Sequence, residues 1–531
     1  MKKQKFNQNW IFTIGSGSSL DALAGGNNTA KQVTLPHDAS IGRERNPEEP
    51  NGSGNGFFRE ESYVYTKTFS MNADDKEFEG VYQNAFVYVN NSFAGKCPYG
   101  YSNFYVDITK YLNYNEPNAL KVVVKNGVPS GRWYTGGGIY RDVNLMIAGR
   151  LHLVPDSVQL AAIEVEDDQA IIRAKSTIAY TGIGIREITL CTELMDAEGN
   201  VVAADEMSVT VEEHSEQEYQ QKMYVPNPNR WDAENPYLYT YRTYIKENDS
   251  VIDEETRTFG IRKLQLDTKH GLRVNGKVVK LRGGCIHHDN GIIGTAEFTH
   301  SAEARVKKLK ETGFNAIRSA HYPMSRKLLE ACDKYGMYVM DEYSDVWVST
   351  KVEFDYSTQM TEWWEHDIEN LVKKDYNHPC VIMYSIGNEI PEAGNKFDVQ
   401  WGKKLADKLR SLDDTRYTTN SLNLLLAIMN DLPKLMAQNA AAQAAANTEK
   451  DQPQEINSMM NNLGAMMAQF MASDFAAEKV KEACAQVDIT GYNYAAARYE
   501  IDGKLFPNRI LVGSETNPPD LDKNWELVEK L

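Results

Sequence analysis

Glu389 stands in Ser385-Ile386-Gly387-Asn388-Glu389 and Glu515 in Gly513-Ser514-Glu515. Each follows a short apolar run, Val381-Ile382-Met383-Tyr384 in one case and Ile510-Leu511-Val512 in the other. Both carboxyl groups therefore fall where a buried strand gives way to its loop. Glycoside hydrolysis needs two carboxyl groups flanking an anomeric carbon, one protonated to assist the leaving oxygen and one ionised to attack. Position alone does not make a site, because a Glu at a strand end is more often a surface residue or a helix cap. Asn388 strengthens the pairing: an amide beside the acid/base can hydrogen-bond the sugar hydroxyl next to the anomeric carbon, a contact that tightens in the transition state.

The elements that must hold these residues begin at about residue 270, where short apolar strands alternate with amphipathic helices as in the βα repeat of a parallel barrel. The predicted strands are Lys280–Ile286, Ala316–Arg318, Tyr338–Glu342, Val381–Ser385, Arg416–Thr419, Val487–Tyr492 and Ile510–Ser514. That makes seven, and a closed barrel of this kind needs eight. The stretch from Ser421 to Gln486 reads as helices plus a flexible linker near Asn447–Gln454, with the run Ala440–Ala446 inside it. Met459, Met460, Met466, Met467 and Met471 could line a sugar cleft, though helix packing is the ordinary role of such residues. Trp363-Trp364 reads as helix packing as well.

Ahead of the barrel, residues 1–150 show short alternating strands such as Tyr63–Phe69 and Ala85–Val89, the latter followed by an Asn90-Asn91 turn, which is the pattern of a β-sandwich. Residues 151–262 repeat it with Ile171–Lys175, Glu187–Cys191 and Tyr237–Tyr241, spaced as in an immunoglobulin-like sandwich. Neither region clusters residue types that catalyse. The remainder, 263–531, is the barrel.

The chain has 531 residues, long enough for about three domains. With 74 acidic and 57 basic residues its net charge is -17, which repels nucleic acid and suits a neutral small substrate. Six cysteines stand singly, with no spacing for zinc or a disulfide framework, and are expected as reduced and mostly buried thiols. The start Met1–Trp10 has no apolar segment behind it, and no stretch is long and apolar enough to span a bilayer, so the expectation is a cytoplasmic protein with no membrane partner.

Ordered motifs carry a resemblance over nearly the whole chain. They are Leu35-Pro36-His37-Asp38, Gly131-Arg132-Trp133-Tyr134-Thr135-Gly136-Gly137-Gly138-Ile139-Tyr140-Arg141-Asp142, Asn235-Pro236-Tyr237-Leu238-Tyr239, Arg282-Gly283-Gly284-Cys285-Ile286-His287-His288-Asp289, Arg318-Ser319-Ala320-His321-Tyr322-Pro323 and Asp341-Glu342, followed by the two glutamate segments. With these the sequence resembles family 2 glycoside hydrolases, most closely their β-galactosidase branch. The resemblance implies a jelly-roll sugar-binding-like domain, an immunoglobulin-like sandwich and a (β/α)8 TIM barrel. It also implies Glu389 as acid/base and Glu515 as nucleophile of a retaining exo-β-glycosidase.

Arg318 would hold the nucleophile ionised, as a cation close to a carboxylate does, and His287 and His321 would contact sugar hydroxyls. Tyr494 matches the tyrosine that hydrogen-bonds the nucleophile, with Tyr492 as its rival. Asp289 and Asn290 could bind substrate hydroxyls, and Asp345 and Trp347 sit where other branches carry further site residues or serve packing. Large β-galactosidases of the family bring an acidic residue from the first domain and a bound Mg²⁺. Here the loop reads Pro129-Ser130-Gly131-Arg132 and the ligand pattern after Asp341-Glu342 is missing, so the expectation is no essential metal and no cofactor.

The Asn-x-Lys element of β-glucuronidases is also missing beyond Glu515, which favours a β-galactoside as the carbohydrate partner. Only Thr516–Leu531 follow the nucleophile, reading as a helix over Leu521–Leu531. The expectation is a barrel truncated before its eighth strand, with reduced stability and activity. The alternatives are another β-glycosidase, a β-glucuronidase or arabinopyranosidase, or an inactive sugar-binding remnant. Sandwich surfaces leave a homo-oligomer open.

Overall fold

The computed structural model describes residues 1–15, 30–70, 76–78, 83–429, 431 and 470–531. The Ala440–Ala446 run, the Asn447–Gln454 linker and Met459, Met460, Met466 and Met467 lie outside the described residues. Met471 is described and packs against an apolar cluster that includes Ala476, Val480 and Tyr499, a packing role rather than a cleft wall.

Two antiparallel sheets form the first part of the chain. One has six strands in the order Lys31–Val33, Trp10–Ile14, Tyr63–Ser70, Pro117–Val124, Ala85–Val89, Ser92–Cys97. The other has four, in the order Lys2–Lys5, Val143–Ile147, Lys76–Phe78, Phe104–Val106. Side chains from both sheets, Trp10, Tyr65, Val87, Val122, Phe104 and Val143 among them, meet in one buried cluster.

A second pair of antiparallel sheets spans Leu151 to Phe259 around a cluster of its own. The strand Gln169–Tyr180 shows why: Ala170, Ile172, Ala174, Ser176 and Ile178 are buried in alternation, the period-two signature of a sheet covered on one face. The predicted strand at Tyr237–Tyr241 begins instead at Tyr239 and runs to Glu247.

Seven parallel strands then form one sheet in sequence order. We call them β1 (Gly283–Ile286), β2 (Ala316–Ser319), β3 (Tyr338–Glu342), β4 (Val381–Asn388), β5 (Tyr417–Ser421), β6 (Ile489–Asn493) and β7 (Ile510–Glu515). Every residue of β2, β3, β4 and β6 is buried, as expected of parallel strands covered on both faces. β1 starts at Gly283 and not at Lys280, because a short antiparallel meander, Leu264–Asp267, Gly271–Val274 and Lys277–Val278, occupies the chain just before it.

Helices connect the strands, with side-chain caps fixing where two of them start. Ser325 accepts from the backbone N–H of Leu328 at the head of Arg326–Tyr335, which ends on Gly336 in the left-handed conformation, and Ser473 accepts from Ala476 at the head of Asp474–Ala485. Trp363 and Trp364 lie on the helix Ser357–Asp375, where Trp364 packs edge-on against Trp401.

Among the described residues no strand joins β7 to β1. The sheet nevertheless curls far enough that Cys285 Sγ on β1 lies 3.5 Å from the carbonyl of Ser514 on β7. Below that point a cavity of about 460 Å³ opens between the two edges, lined by Leu272, Leu281, Phe314, Val512, Trp525 and Val528. The helix Leu521–Lys530 lies across it, held by Lys280 Nζ donating to the Val528 carbonyl at 2.7 Å. All six cysteines are free, and Cys285 alone of them is exposed.

Candidate active site

Five of the seven strands deliver one polar side chain each to the same place at their C-terminal ends. Arg318 on β2 is the hub. Its Nη1 donates to Glu515 Oε2 at 3.1 Å, and its Nη2 donates to Glu342 Oε2 at 2.9 Å and to Asn388 Oδ1 at 2.8 Å. Burial alone would pull the guanidinium's pKa down, but the carboxylates of Glu342 and Glu515 outweigh it and hold the group above its ordinary value.

Glu342, on β3, has no exposed surface. Burial pushes its carboxyl up, yet Arg318, the His321 ring at 2.8 Å and the Ser385 hydroxyl at 2.7 Å outweigh that and bring it to about 2. A carboxylate can only accept, so His321 carries its proton on Nδ1.

Glu515, the last residue of β7, is held on both oxygens. Oε2 accepts from Arg318 and from Asn493 Nδ2 at 2.9 Å, while Oε1 accepts from the Tyr494 hydroxyl. The rivalry between tyrosines is settled by position: Tyr492 is buried and donates instead to Asp502 at 2.5 Å. Asn388, at the end of β4, gives Oδ1 to Arg318 and Asn493 and one Nδ2 hydrogen to Asp345 at 2.8 Å. Its second Nδ2 hydrogen has no acceptor among the described residues.

Glu389 follows at once in the left-handed region, φ 48°. A non-glycine residue pays for that conformation unless its surroundings hold it. Here its N–H donates to the Ser421 carbonyl at 2.8 Å and Asn423 Nδ2 donates to Oε1 at 2.8 Å.

Around this floor stand rings. His287 lies 4.9 Å from the Trp133 indole and 5.5 Å from His321. Burial first, and then the neighbouring His321, lower its pKa to about 4, so it is neutral near pH 7. Its Nδ1 is buried with no hydrogen-bond partner among the described residues, which leaves it suited to a ligand hydroxyl.

His288 differs. It is tied to Tyr322 at 2.9 Å and to the Thr135 carbonyl at 3.0 Å, and belongs to the packing between the first sheets and the barrel. Arg305 fixes the loop after β1 by donating to the carbonyls of His287 and Asp289 and to Asn290 Oδ1 at 3.1 Å, so Asn290 is a structural tie. The Asp289 carboxylate accepts no hydrogen bond among the described residues. Trp347 donates to the Ile386 carbonyl at 2.9 Å and is buried, a packing role.

Several participants carry no mark that the sequence reading used. Glu342 was visible only within Asp341-Glu342, Asn493 within Gly491–Tyr494, and Asn423 not at all. The first region, whose sequence clusters no residue types that catalyse, nevertheless reaches the site. Its loop brings Arg132 within 3.7 Å of Glu389 and sets Trp133 beside His287 and His321. Arg132 donates bidentately to Asp345, at 3.1 and 2.7 Å, and Lys351 reaches the same carboxylate at 2.9 Å. Asp345 is consequently held at about 2, burial opposing and Lys351 and Arg132 prevailing. Among the described residues no group of three or more His, Cys, Asp or Glu side chains is placed to hold a metal ion.

Residues 266–481 match the family model described as glycosyl hydrolases family 2, TIM barrel domain, and residues 156–262 match the model described as glycosyl hydrolases family 2. A β-galactosidase (BoGH2A) of Bacteroides ovatus is 37% identical over 426 residues, covering 79% of this chain and 49% of that protein. The chain belongs to glycoside hydrolase family 2.

Other relatives in the family include a putative β-glucuronidase of Formosa agariphila, 32% identical over 78% of this chain and 39% of its own. A crystal structure of a family 2 member from Bacteroides cellulosilyticus superposes with a TM-score of 0.86 at 31% identity, covering all of this chain and 63% of that one. The chain thus spans about half the length of the curated relatives it matches. No helix among the described residues is long and apolar enough to cross a membrane.

Proposed function

We propose that this chain carries the catalytic site of a retaining exo-β-galactosidase, with residues 1–150 as a jelly-roll domain, 151–262 as an immunoglobulin-like sandwich and 263–531 as the TIM-barrel unit. The observation that carries the reading is the unequal treatment of two glutamates, one just after β4 and one at the end of β7. Glu515 receives a guanidinium, an amide and a phenol, all donors to an anion, whereas Glu389 receives one neutral amide and a more distant cation. The first environment suits a nucleophile and the second an acid that must gain and lose a proton.

In the first step a Glu515 oxygen forms a bond to the anomeric carbon as the glycosidic C–O bond breaks, and the Glu389 proton passes to the leaving oxygen. In the second, Glu389 takes a proton from water, the water oxygen bonds to the anomeric carbon, and Glu515 departs as carboxylate. Asn388, His287 and His321 would orient the sugar, with Asp289 at the rim.

A β-galactoside is favoured by the likeness to the Bacteroides ovatus β-galactosidase and by the site's charges. The described cations Arg132, Lys351 and Arg318 each already face a carboxylate, so none is left over for the carboxylate of a glucuronide. Nitrophenyl β-galactoside, β-glucuronide and α-arabinopyranoside are the substrates to compare, with the anomer of the first product read by proton NMR. The expected result is β-galactoside turnover with retention, lost by at least about a thousandfold in both Glu515→Gln and Glu389→Gln. An inverted product, or either variant keeping parental activity, refutes the assignment. Galactose binding retained by Glu515→Gln with no turnover by the parent would make the chain a sugar-binding protein instead.

A further inference from the structure

We propose that Arg132, on a loop of the first domain, is a positioning residue that sets the charge state of the barrel's acid/base, with Asp345 acting as the counterweight. The inference rests on the reading of Glu389 given above and adds a residue from another domain to it.

Arg132 Nη2 lies 2.7 Å from Asp345 Oδ1 and 3.7 Å from Glu389 Oε2, so one guanidinium bridges the two carboxylates. The arrangement is built rather than incidental, because the loop is clamped at both ends. Glu60, buried in the first domain, accepts from the Thr135 hydroxyl at 2.6 Å and from the Ser130 hydroxyl at 3.5 Å, on either side of Arg132 and Trp133. Asp345 in turn accepts from Asn388, the residue preceding Glu389. A rotation of the Arg132 head would therefore disturb the acid/base and its neighbour together.

The charged and titratable groups facing Glu389 are Arg132 from the first domain, Asp345 and Lys351 from the chain after β3, Tyr494 after β6 and Glu515 on β7. Arg132 and Lys351 supply two positive charges against the negative charges of Asp345 and Glu515, and of the two cations Arg132 is the one within ion-pair reach of Glu389, at 3.7 Å. That cation favours the ionised form of Glu389, which the deglycosylation step needs, and limits how far toward alkaline pH the protonated form persists.

The two partners make opposite predictions. In Arg132→Gln the cation is gone, and the alkaline limb of the kcat/KM profile for nitrophenyl β-galactoside should move up by about one pH unit, the size expected of one charge at this distance in a half-exposed setting. In Asp345→Asn the two cations lose the carboxylate that both of them pair with, and the limb should move down by a similar amount. Arg132→Lys keeps the charge and should keep the limb within about 0.3 unit of the parent.

The same midpoints are available without turnover from the carboxyl carbon-13 signal of Glu389, identified by its loss in Glu389→Gln. An Arg132→Gln limb that stays in place or moves down overturns the proposal. Should that variant not fold, an Asp345→Asn limb that fails to move down does so equally. Failure of the catalytic reading itself is a separate result: Glu389→Gln would keep hydrolysing, whatever the carbon-13 signal does.

Discussion

One guanidinium explains much of this site, and one carboxylate explains the guanidinium. Arg318 is buried, and Glu342, buried completely, neutralises it while leaving Nη1 free to hold Glu515. Removing one partner of such a pair strands a charge in the interior, typically at a cost of about 3–5 kcal/mol. Glu342→Gln should therefore lower the unfolding free energy by that order and weaken turnover through Glu515, both measurable by urea titration and steady-state kinetics. The pH dependence has a definite sign. The folded Glu342 carboxyl sits at about 2 against an ordinary 4.5. Its contribution is fully present above pH 4.5 and is lost as pH falls from there toward 2, amounting to about 3 kcal/mol. Glu342→Gln should flatten the acid limb, and an unchanged limb would refute the pairing. The end of an apolar run draws attention to Glu389 and Glu515 in the sequence, but their pairing as acid/base and nucleophile comes from the resemblance that the ordered motifs carry. Glu342 ends one too, but nothing local distinguishes a carboxylate that serves as counter-ion from one that reacts. Enclosure decides that: Arg318 reaches both Glu342 and Glu515, but Glu342 has no exposed surface whereas Glu515 keeps 25% of its side chain open.

Among elements, β3 and the Ala85–Val89 strand coincide with their sequence expectation, since a fully buried or strictly alternating run is a strong local signal. The loop Ser130–Gly136 left no such signal for its part in the site, because its contacts lie far along the chain: Arg132 to Asp345, 213 residues on, and the Thr135 carbonyl to His288, 153 residues on. Glu60 holds that loop, and burial pushes its carboxyl up to about 7 although Thr135, Asn51 and Ser130 donate to it. The folded value is raised above the ordinary 4.5, so the native state keeps a proton that the unfolded chain has released. Stability from this group is greatest below pH 4.5 and declines as pH rises through 7, by about 3 kcal/mol in all. Urea titrations between pH 4.5 and 8 should show that slope in the parent and lose it in Glu60→Gln. The same slope in both proteins would assign it elsewhere.

At the scale of the molecule, seven strands were counted in the sequence, and among the described residues seven parallel strands make the sheet. The cavity between β1 and β7 presents apolar side chains and two strand edges with no partner strand among the described residues, a combination that attracts apolar ligands and other strands. Trp525 lines that cavity, so an environment-sensitive naphthalene dye bound there should show emission sensitised by indole excitation, and Trp525→Phe should reduce it. Sensitised emission that survives the substitution would place the dye elsewhere. The first sheets, meanwhile, are fastened to the barrel's catalytic end. Tyr101 stacks on Tyr322 with ring centroids 3.9 Å apart, Thr295 donates to Asp38, and Arg141 reaches the Pro323 carbonyl at 3.0 Å. Recombination feels this directly. A chimera spliced at residue 262 would inherit the glutamates from one parent and the arginine bridging Glu389 to Asp345 from the other. Its catalytic pocket would be a graft whose two sides had never been selected together, so parents differing on either face should yield hybrids that fold but work poorly.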